Sequence, residues 1–173
     1  MSYVNKKASV QIVPLSSEHV SLYAEVIRRS FATEARAYML TIENCPSHTS
    51  FITDDRLAAK FKGRYYPFGC YADGEMIGFA SLTDMGNGIF EMNHVAILPE
   101  YRHFGYGTDM LSFCKQMAIS LGGEKINIGI IEENAVLKAW YLANGFVHTG
   151  TAHIAHLPFT VGFMSFVTKQ SSY

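Results

Sequence analysis

The sequence predicts one mixed α/β domain with its elements in the order βααβββαβαββ. Hydrophobic residues make up 49% and charged residues 17% of its 173 residues, the composition of a globular chain with one sizeable core. Apolar residues recur at helical spacing near the N-terminus and alternate as in strands through the middle, and a strand–helix–strand pattern follows. Because no repeat or Pro/Gly/Ser-rich linker divides the chain, we interpret residues 1–173 as a single domain.

A strand and two helices are predicted first. The segment VQIVPL has the composition of a strand, and residues 16–35 predict a helix with Ser16 or Ser17 as its N-cap. A polar, turn-rich stretch follows, and we expect it to form a mobile loop. Residues 54–63 then predict a short helix that ends at a glycine, which can take the left-handed conformation of a C-cap.

An antiparallel meander of three strands is predicted next. Residues 65–85 contain two strands that meet at Asp73 and Gly74, a dipeptide typical of hairpin turns. The sequence GNG, residues 86–88, predicts a second turn. Residues 89–98, IFEMNHVAIL, then predict the third strand of the meander.

The second half of the chain predicts two helices and three strands. A long helix begins after a pair of glycines and ends near the sequence LGGEK. The remaining elements are a strand over residues 125–131, a helix over 134–145, and strands over 146–156 and 159–167.

Composition and charge exclude several classes of protein. The net charge of −1 argues against a broad nucleic-acid-binding surface. No apolar run is long enough to cross a bilayer and the N-terminus lacks the apolar region of a signal peptide, so we expect no membrane partner. Three cysteines without CxxC spacing indicate reduced thiols and a cytoplasmic protein; they are Cys45, Cys70 and Cys114, the last a predicted core residue.

Three histidines near the C-terminus raise the question of a metal site. Only His148 and His156 are in phase on one strand, while His153 is not. No nearby carboxylate or cysteine completes a ligand set, so we expect no metal.

A glycine-bearing segment, PEYRHFGYGTDML, connects a predicted strand to a predicted helix over residues 99–111. If the helix starts near Gly105, its first N–H groups have no partner within the helix, and the helix dipole adds positive potential there. Gly105 and Gly107 let an anion approach those amides, and Arg102 can add charge-assisted hydrogen bonds. This chemistry suits a phosphate or pyrophosphate; an ordinary turn is the alternative.

The segment does not match two well-known nucleotide-binding motifs. No Gly-Lys-Ser/Thr follows, as a Walker loop requires. Thr108, Asp109 and Met110 follow the second glycine, so the third glycine of a Rossmann fingerprint is missing. These two absences disfavour nucleotide binding of either kind.

Two stretches of sequence carry a family resemblance. VAILPEYRHFGYGTDML, residues 95–111, resembles the acetyl-CoA-binding motif of the GNAT N-acetyltransferase superfamily: a strand, Pro-x-Tyr/Phe-Arg, Arg/Gln-x-x-Gly-x-Gly/Ala and a helix. NAVLKAWYLANGF, residues 134–146, resembles its second signature: an Asn, an aromatic residue seven positions later, then Gly-Phe. The predicted element order is also similar to that of the family, in which the central strands splay apart.

The resemblance implies acetyl-CoA as the co-substrate. Its pyrophosphate would lie on the amides of residues 103–108, and its pantetheine arm would pair with the strand backbone where that strand splays from KINIGII. Asn134 would cap the following helix and contact the arm. The residues implied in cofactor binding are Val95, Ala96, Ile97, Arg102, His103, Phe104, Gly105, Tyr106, Gly107, Thr108, Asn134 and Tyr141.

The resemblance also implies which residues handle protons. Tyr141 matches the family's usual acid for the leaving thiolate, and a phenol with a reference pKa of about 10 stays protonated at neutral pH. Helical neighbours point about 100° apart, so Trp140 is left to packing. Glu91 matches one position of the base in this family, whereas Asn93 stands at another and cannot accept a proton.

Strand alternation assigns the faces around the base, provided that the strand has no bulge. It places Glu91, Asn93, Val95 and Ile97 on one face, and Phe90, Met92, His94 and Ala96 on the other. The resemblance implies that the face of Glu91 is turned towards the acceptor, where Glu91 would act through water. His94, on the other face, is expected to face the core, and Glu132 and Glu133 are reserve bases.

The acceptor pocket is implied to lie between the first helices, their loop and the last two strands. Residues expected to line it are Tyr38, Phe51, Asn93, His153, His156 and Phe159. A small amine, an amino acid, an aminoglycoside-like molecule and a peptide N-terminus all fit, and both a monomer and a homodimer stay open.

Two functions therefore compete. The first is an N-acetyltransferase, in which a neutral amine attacks acetyl-CoA directly in a ternary complex, without a covalent enzyme intermediate. The second is a non-catalytic acyl-CoA-binding sensor or regulatory module of the same fold. The presence of Tyr141 and Glu91 favours the enzyme.

Overall fold

The computed structural model describes residues 7–168. Its strands are β1 (Val10–Pro14), β2 (Tyr65–Ala72), β3 (Glu75–Gly86), β4 (Ile89–Ile97), β5 (Lys125–Ile131), β6 (Val147–His153) and β7 (Thr160–Val167). Its α-helices are α1 (Val20–Ala37), α2 (Asp54–Ala58), α3 (Tyr106–Ser120) and α4 (Ala135–Ala143). With short 3-10 turns left aside, the elements follow the predicted order.

The seven strands form one mixed sheet in the order β1-β2-β3-β4-β5-β7-β6. The β4–β5 pair is parallel and every other neighbouring pair is antiparallel. One face packs against α3 and α4, and the other packs against α1 and α2. The sheet is therefore covered on both sides by amphipathic helices, as expected for an α/β fold.

The turns of the meander follow the local sequence. Asp73 and Gly74 both have positive φ, 49° and 80°, as a two-residue hairpin of type I′ requires. Gly86, Asn87 and Gly88 also have positive φ. The two predicted turns are therefore confirmed, and they fix the register of the meander.

Two elements are shorter than the sequence predicts. α2 ends at Ala58 and not at Gly63, although Gly63 does take positive φ in the turns that follow. β6 ends at His153, so His156 lies in the turn before β7 and not on a strand with His148.

The loop between α1 and α2 is packed against the domain. Cys45 and Ile52 in this loop are 1% and 2% exposed, and the loop includes a 3-10 turn at Thr49–Phe51. The loop thus forms one wall of the region where β4 and β5 separate.

A β-bulge at His94 interrupts β4. Phe79 pairs with Ala96 and Ser81 pairs with Asn93, so two steps along β3 match three along β4. His94 has φ 54°, the left-handed conformation that a non-glycine residue seldom adopts. The predicted uninterrupted alternation is therefore wrong.

The extra residue moves the second half of β4 to the opposite faces. Val95 and Ile97 pack with Phe90 and Met92 in the cluster against α3 and α4, whereas Ala96 packs against α1. Glu91 and Asn93 thus lie on the face opposite to Val95 and Ile97.

β4 and β5 separate soon after they meet. They pair only at Ile89–Lys125, Phe90–Ile126 and Glu91–Asn127. Beyond these pairs the two strands run without a ladder between them, so the splay that the resemblance implies is present. Among residues 7–168, no helix is long and apolar enough to cross a membrane.

Candidate active site

The loop before α3 presents a row of free amides. Gly105 is the N-cap of α3, with φ 85°, and no side chain caps this end of the helix. Within residues 7–168, the backbone N–H groups from His103 to Thr108 make no hydrogen bond. These donors, together with the helix dipole, can bind an anion such as a pyrophosphate.

Lys7 adds a positive charge beside this loop, which the sequence reasoning missed. Its ammonium pairs with the Asp109 carboxylate in the first turn of α3 and lies 5.4 Å from the centre of the Tyr106 ring. It also lies 3.3 Å from where a Cβ on Gly105 would be. A lysine so far ahead in sequence carries no local signal of this contact.

The Arg102 side chain does not serve the loop as predicted. Its guanidinium donates to the carbonyl oxygen of Ile97 at 3.1 Å, to Thr33 Oγ1 at 2.9 Å and to the carbonyl oxygen of Ser30 at 2.6 Å. Burial lowers the pKa of Arg102. Arg102 therefore joins α1 to the end of β4, and the Ile97 carbonyl already has a partner.

Tight packing explains the second glycine of the loop. A Cβ on Gly107 would lie 3.3 Å from the Trp140 ring and 3.9 Å from Ile97 Cγ1. Trp140 thus packs under the loop, as predicted. Tyr106 is 5% exposed and its hydroxyl accepts from the Ala8 amide, so only its backbone faces the loop, while Phe104 is 40% exposed.

A cleft of about 330 Å³ opens where β4 and β5 separate, and we call it the splay cleft. Its lining includes Phe31 and Glu34 from α1 on one side of the sheet, and Leu137 and Tyr141 from α4 on the other. Because residues from both sheet faces line it, the splay cleft passes between the strands. It can hold an extended group that enters from the α3 side and a second molecule from the α1 side.

Tyr141 lies at the α4 end of the splay cleft. Its ring packs edge-on against Trp140 at 4.8 Å and Phe146 at 5.3 Å between centroids. Burial raises its pKa, and the charges of Cys114 and Glu34 raise it further. The phenol therefore stays protonated at neutral pH and is available as a proton donor.

Glu34 also lines the splay cleft, and the sequence reasoning missed it. Its Oε2 accepts from Asn134 Nδ2 at 3.1 Å, and its Oε1 lies 3.3 Å from His48 Nε2. Asn134 uses its Oδ1 to cap α4, at 3.1 Å from the Leu137 amide, so the predicted cap is present. His48 in turn lies 2.8 Å from the Ser50 hydroxyl through Nδ1.

A signal for Glu34 exists in the sequence. It stands seven residues after Ile27 and four after Ser30, both buried in α1, so it shares the phase of the inward face. A carboxylate in the phase of an apolar stripe points to a buried polar contact.

Glu91 lies in a neighbouring cavity. That cavity, of about 440 Å³, is lined by Glu91, Lys125, Asn127 and other residues of β4 to β7. Asn93 lines both cavities and donates from Nδ2 to Glu91 Oε1 at 3.0 Å. Glu91 is thus connected to the splay cleft through Asn93 and does not itself line it.

His94 lines the splay cleft because of the bulge, contrary to the prediction that it faces the core layer. Its ring lies 6.4 Å from that of Phe79, and its Nδ1 is buried without a hydrogen-bond partner among the described residues. Burial, followed by the positive charges of Lys60 and Arg56, lowers the pKa of His94 to about 4. His94 is therefore neutral at physiological pH.

This pKa makes stability depend on pH. The unfolded chain binds a proton at His94 below about pH 6.5, whereas the folded chain does so only near pH 4. The contribution of the neutral His94 ring to the free energy of unfolding is complete above pH 6.5. It is lost as the pH falls towards 4, by at most about 3 kcal/mol. We expect His94→Asn, which tolerates positive φ, to lose less free energy of unfolding than the wild type between pH 7 and pH 4. Urea unfolding at both pH values checks this, and equal losses would contradict it.

Only some of the residues predicted to line the acceptor pocket line the splay cleft. Phe159 and Asn93 line the splay cleft, whereas Tyr38, Phe51 and His156 do not. Tyr38 packs in a small cluster with Leu157 and Phe159, and the Phe51 ring packs edge-on against His48 at 6.1 Å. His153 and His156 are exposed.

The two reserve bases, Glu132 and Glu133, already have ion-pair or hydrogen-bond partners. Glu132 pairs with Lys138 and, at 2.9 Å, with His148 Nε2, and Glu133 accepts from the Thr160 amide at 3.1 Å. His148 thus has a carboxylate neighbour that the sequence reasoning did not foresee. Among residues 7–168, no group of three or more His, Cys, Asp and Glu is arranged to hold a metal ion.

The three cysteines are free and buried. Burial raises the pKa of Cys114 to about 12, as befits a core residue, and that of Cys70 to about 11. Cys45 lines the splay cleft.

Comparison with protein families gives one match. The model of the Acetyltransferase (GNAT) family matches residues 24–146, which include both motif regions and every element from within α1 to the end of α4. No curated protein sequence matches the chain significantly.

Solved structures share the fold at low sequence identity. The PaiA N-acetyltransferase of Thermoplasma acidophilum, in complex with coenzyme A, is 21% identical with a TM-score of 0.78, over 92% of this chain and 99% of that one. The ribosomal-protein-S18-alanine N-acetyltransferase of Escherichia coli is 15% identical with a TM-score of 0.76, over 95% and 97%. A chimera based on Vibrio cholerae spermidine N-acetyltransferase is 16% identical with a TM-score of 0.72, over 92% and 95%. At these identities the likeness shows the fold alone.

Proposed function

Because the chain belongs to the GNAT family of acetyltransferases, we propose that it transfers an acetyl group from acetyl-CoA to a primary amine of a small molecule or peptide. The observation that carries the proposal is the splay cleft. Its lining runs from Leu137 and Tyr141 of α4 to a mostly apolar wall that includes Phe31 of α1. The free amides at the start of α3 lie on the same side of the sheet as α4.

The residues present fit coenzyme A. Unpaired amides from His103 to Thr108 suit the pyrophosphate, and Lys7 lies near enough to add charge. Within residues 7–168, β4 has no strand beside it on the β5 side from Met92 onward, so backbone groups of Val95 and Ala96 can pair with the amides of a pantetheine arm. The thioester would then lie within the splay cleft.

Tyr141 is the proposed acid. As the amine nitrogen bonds to the thioester carbon and the C–S bond breaks, the phenol gives its proton to the departing sulfur. It regains one from the nitrogen, which must lose it to form the amide. The raised pKa of Tyr141 keeps the phenol protonated at neutral pH before the transfer.

Glu91 is the proposed base, and it acts through water. Asn93 stands between Glu91 and the splay cleft and holds the carboxylate by a hydrogen bond of 3.0 Å. Water along Asn93 can therefore carry a proton from the incoming ammonium to Glu91.

Binding of acetyl-CoA tests the donor half of the proposal. A ligand at 100 times its Kd stabilises the native state by about 2.7 kcal/mol, which for a chain of this size raises Tm by roughly 5–10 °C. We expect a shift of this order with acetyl-CoA in differential scanning fluorimetry. An unchanged Tm at saturating acetyl-CoA would refute acetyl transfer and CoA sensing together.

A further inference from the structure

We propose that Glu34 is the residue that binds the acceptor's ammonium group, and that the acceptor is a primary amine carried on an apolar body. The inference rests on the proposed function, since it names the substrate class of the splay cleft. It comes from the lining of that cleft and the hydrogen bonds of one carboxylate.

Glu34 is the one acidic side chain that lines the splay cleft among the described residues. No lysine or arginine of residues 7–168 lines it, and His94 carries no charge at neutral pH because burial lowers its pKa to about 4. Apart from His48, which lies 3.3 Å from Glu34 Oε1, the wall of the splay cleft holds, within residues 7–168, no basic group beside this carboxylate. A splay cleft that carries this negative charge favours a cationic ligand over an anionic or neutral one.

Two residues hold the Glu34 carboxylate in position. Asn134 donates to Oε2 at 3.1 Å from the cap of α4, and His48 lies 3.3 Å from Oε1 in the packed loop after α1. The His48 side chain is 6% and the Glu34 side chain 17% exposed, so the pair is largely shielded from water. A carboxylate fixed from both sides loses little rotamer entropy when a ligand arrives.

The carboxylate also acts on the proposed acid. The Glu34 charge contributes to the raised pKa of Tyr141, which places Glu34 within electrostatic reach of the phenol. A nitrogen bound at Glu34 would therefore lie in the same cleft as the sulfur that Tyr141 would protonate.

The rest of the wall fits an apolar body. Most of the other lining side chains are aliphatic or aromatic; they include Phe31, Ile131, Leu157, Phe159 and Val161. The Nδ1 of His94, in the same lining, is buried without a hydrogen-bond partner among the described residues and is a further polar atom that a ligand can meet. Together these features fit an arylalkylamine or a similar apolar amine better than a sugar or an acidic peptide.

Binding of 2-phenylethylamine to the CoA-saturated protein tests the inference. We expect calorimetry to detect 2-phenylethylamine and to detect no binding of 2-phenylethanol, which has the same body without the charge. Glu34→Gln keeps the shape and removes the charge, and we expect it to weaken amine binding about 10- to 100-fold. Glu25→Gln, on the exposed side of α1, is the matched control and should bind the amine like the wild type.

The outcomes separate this inference from the proposed function. Wild-type protein that does not bind the amine, or Glu34→Gln that binds it within about threefold of wild type, would overturn the assignment of Glu34. The affinity of the same variants for acetyl-CoA should stay unchanged. An unchanged affinity would show that the donor site is intact. Amine binding that depends on Glu34 but leads to no thiol release would uphold the inference and refute the transferase.

Discussion

Replacing Tyr141 with phenylalanine is expected to lower kcat about 10²- to 10⁴-fold, the usual contribution of a positioned proton donor. The variant removes one hydroxyl and keeps the ring, so the edge-on contacts with Trp140 and Phe146 remain. The Kd for acetyl-CoA should change little, because the pyrophosphate and the arm are proposed to bind to backbone groups. Steady-state thiol release together with calorimetry measures both quantities.

Tyr66→Phe provides the matched control for this prediction. Tyr66 is half-buried beside Phe90 and does not line the splay cleft, so loss of its hydroxyl should leave kcat within about threefold of wild type. Full activity of Tyr141→Phe would remove Tyr141 from the mechanism. An equal loss in both variants would indicate damage to the core and not to the proton transfer.

Replacing Gly107 with glutamate is expected to abolish measurable acetyl-CoA binding. The new side chain would start in the first turn of α3 with its Cβ 3.3 Å from the Trp140 ring, and it would bring a carboxylate close to the free amides that are proposed to hold the pyrophosphate. Like charges placed together cost several kcal/mol, which is a loss of affinity of about 100-fold or more. The same carboxylate is favourable at a helix N-terminus, so the fold should not lose stability through this charge.

Gly107→Gln separates charge from size in this experiment. Both variants place a Cβ 3.3 Å from the Trp140 ring and fill the same space. We expect the glutamine variant to bind acetyl-CoA more weakly than wild type and more tightly than the glutamate variant. A glutamate variant that binds acetyl-CoA within about threefold of wild type would show that the pyrophosphate lies elsewhere.

Local sequence signals predicted most of the fold, because hydrophobic periodicity and the backbone preferences of single residues both act within one element. Asp73-Gly74 defines its hairpin because both residues accept positive φ, and Gly105 begins α3 for the same reason. Lys125–Ile131 matches its predicted strand residue for residue. The motif around Gly105 and Gly107 likewise located the row of free amides.

The bulge at His94 could not be predicted in the same way. No glycine marks the position, and a histidine with φ 54° is tolerated only because the neighbouring pairs on β3 hold it. Because of that single extra residue, the His94 side chain lines the splay cleft, and Val95 and Ile97 lie on the face opposite to Glu91. Side chains change faces wherever such a residue is inserted in a strand.

Contacts between distant parts of the chain were also missed. Glu34 meets Asn134 across 100 positions, and Arg102 meets Ser30 across 72. Neither contact has a local signature, since Arg102 looks the same in sequence whether it binds a phosphate or a helix carbonyl. The α1 side of the splay cleft is built mainly from such contacts, and of the residues predicted to line an acceptor pocket only Asn93 and Phe159 line it.

Acetyl transfer itself is tested most directly by free-thiol release from acetyl-CoA with a panel of primary amines, read together with mass spectrometry of each amine. The panel holds 2-phenylethylamine, an amino acid, an aminoglycoside and a short peptide with a free N-terminus. We predict thiol release that requires both acetyl-CoA and an amine, with one N-acetylated product for each thiol and the highest kcat/KM for the apolar amine. Tight binding of acetyl-CoA without thiol release for any amine would contradict the transferase and identify a CoA-binding sensor instead.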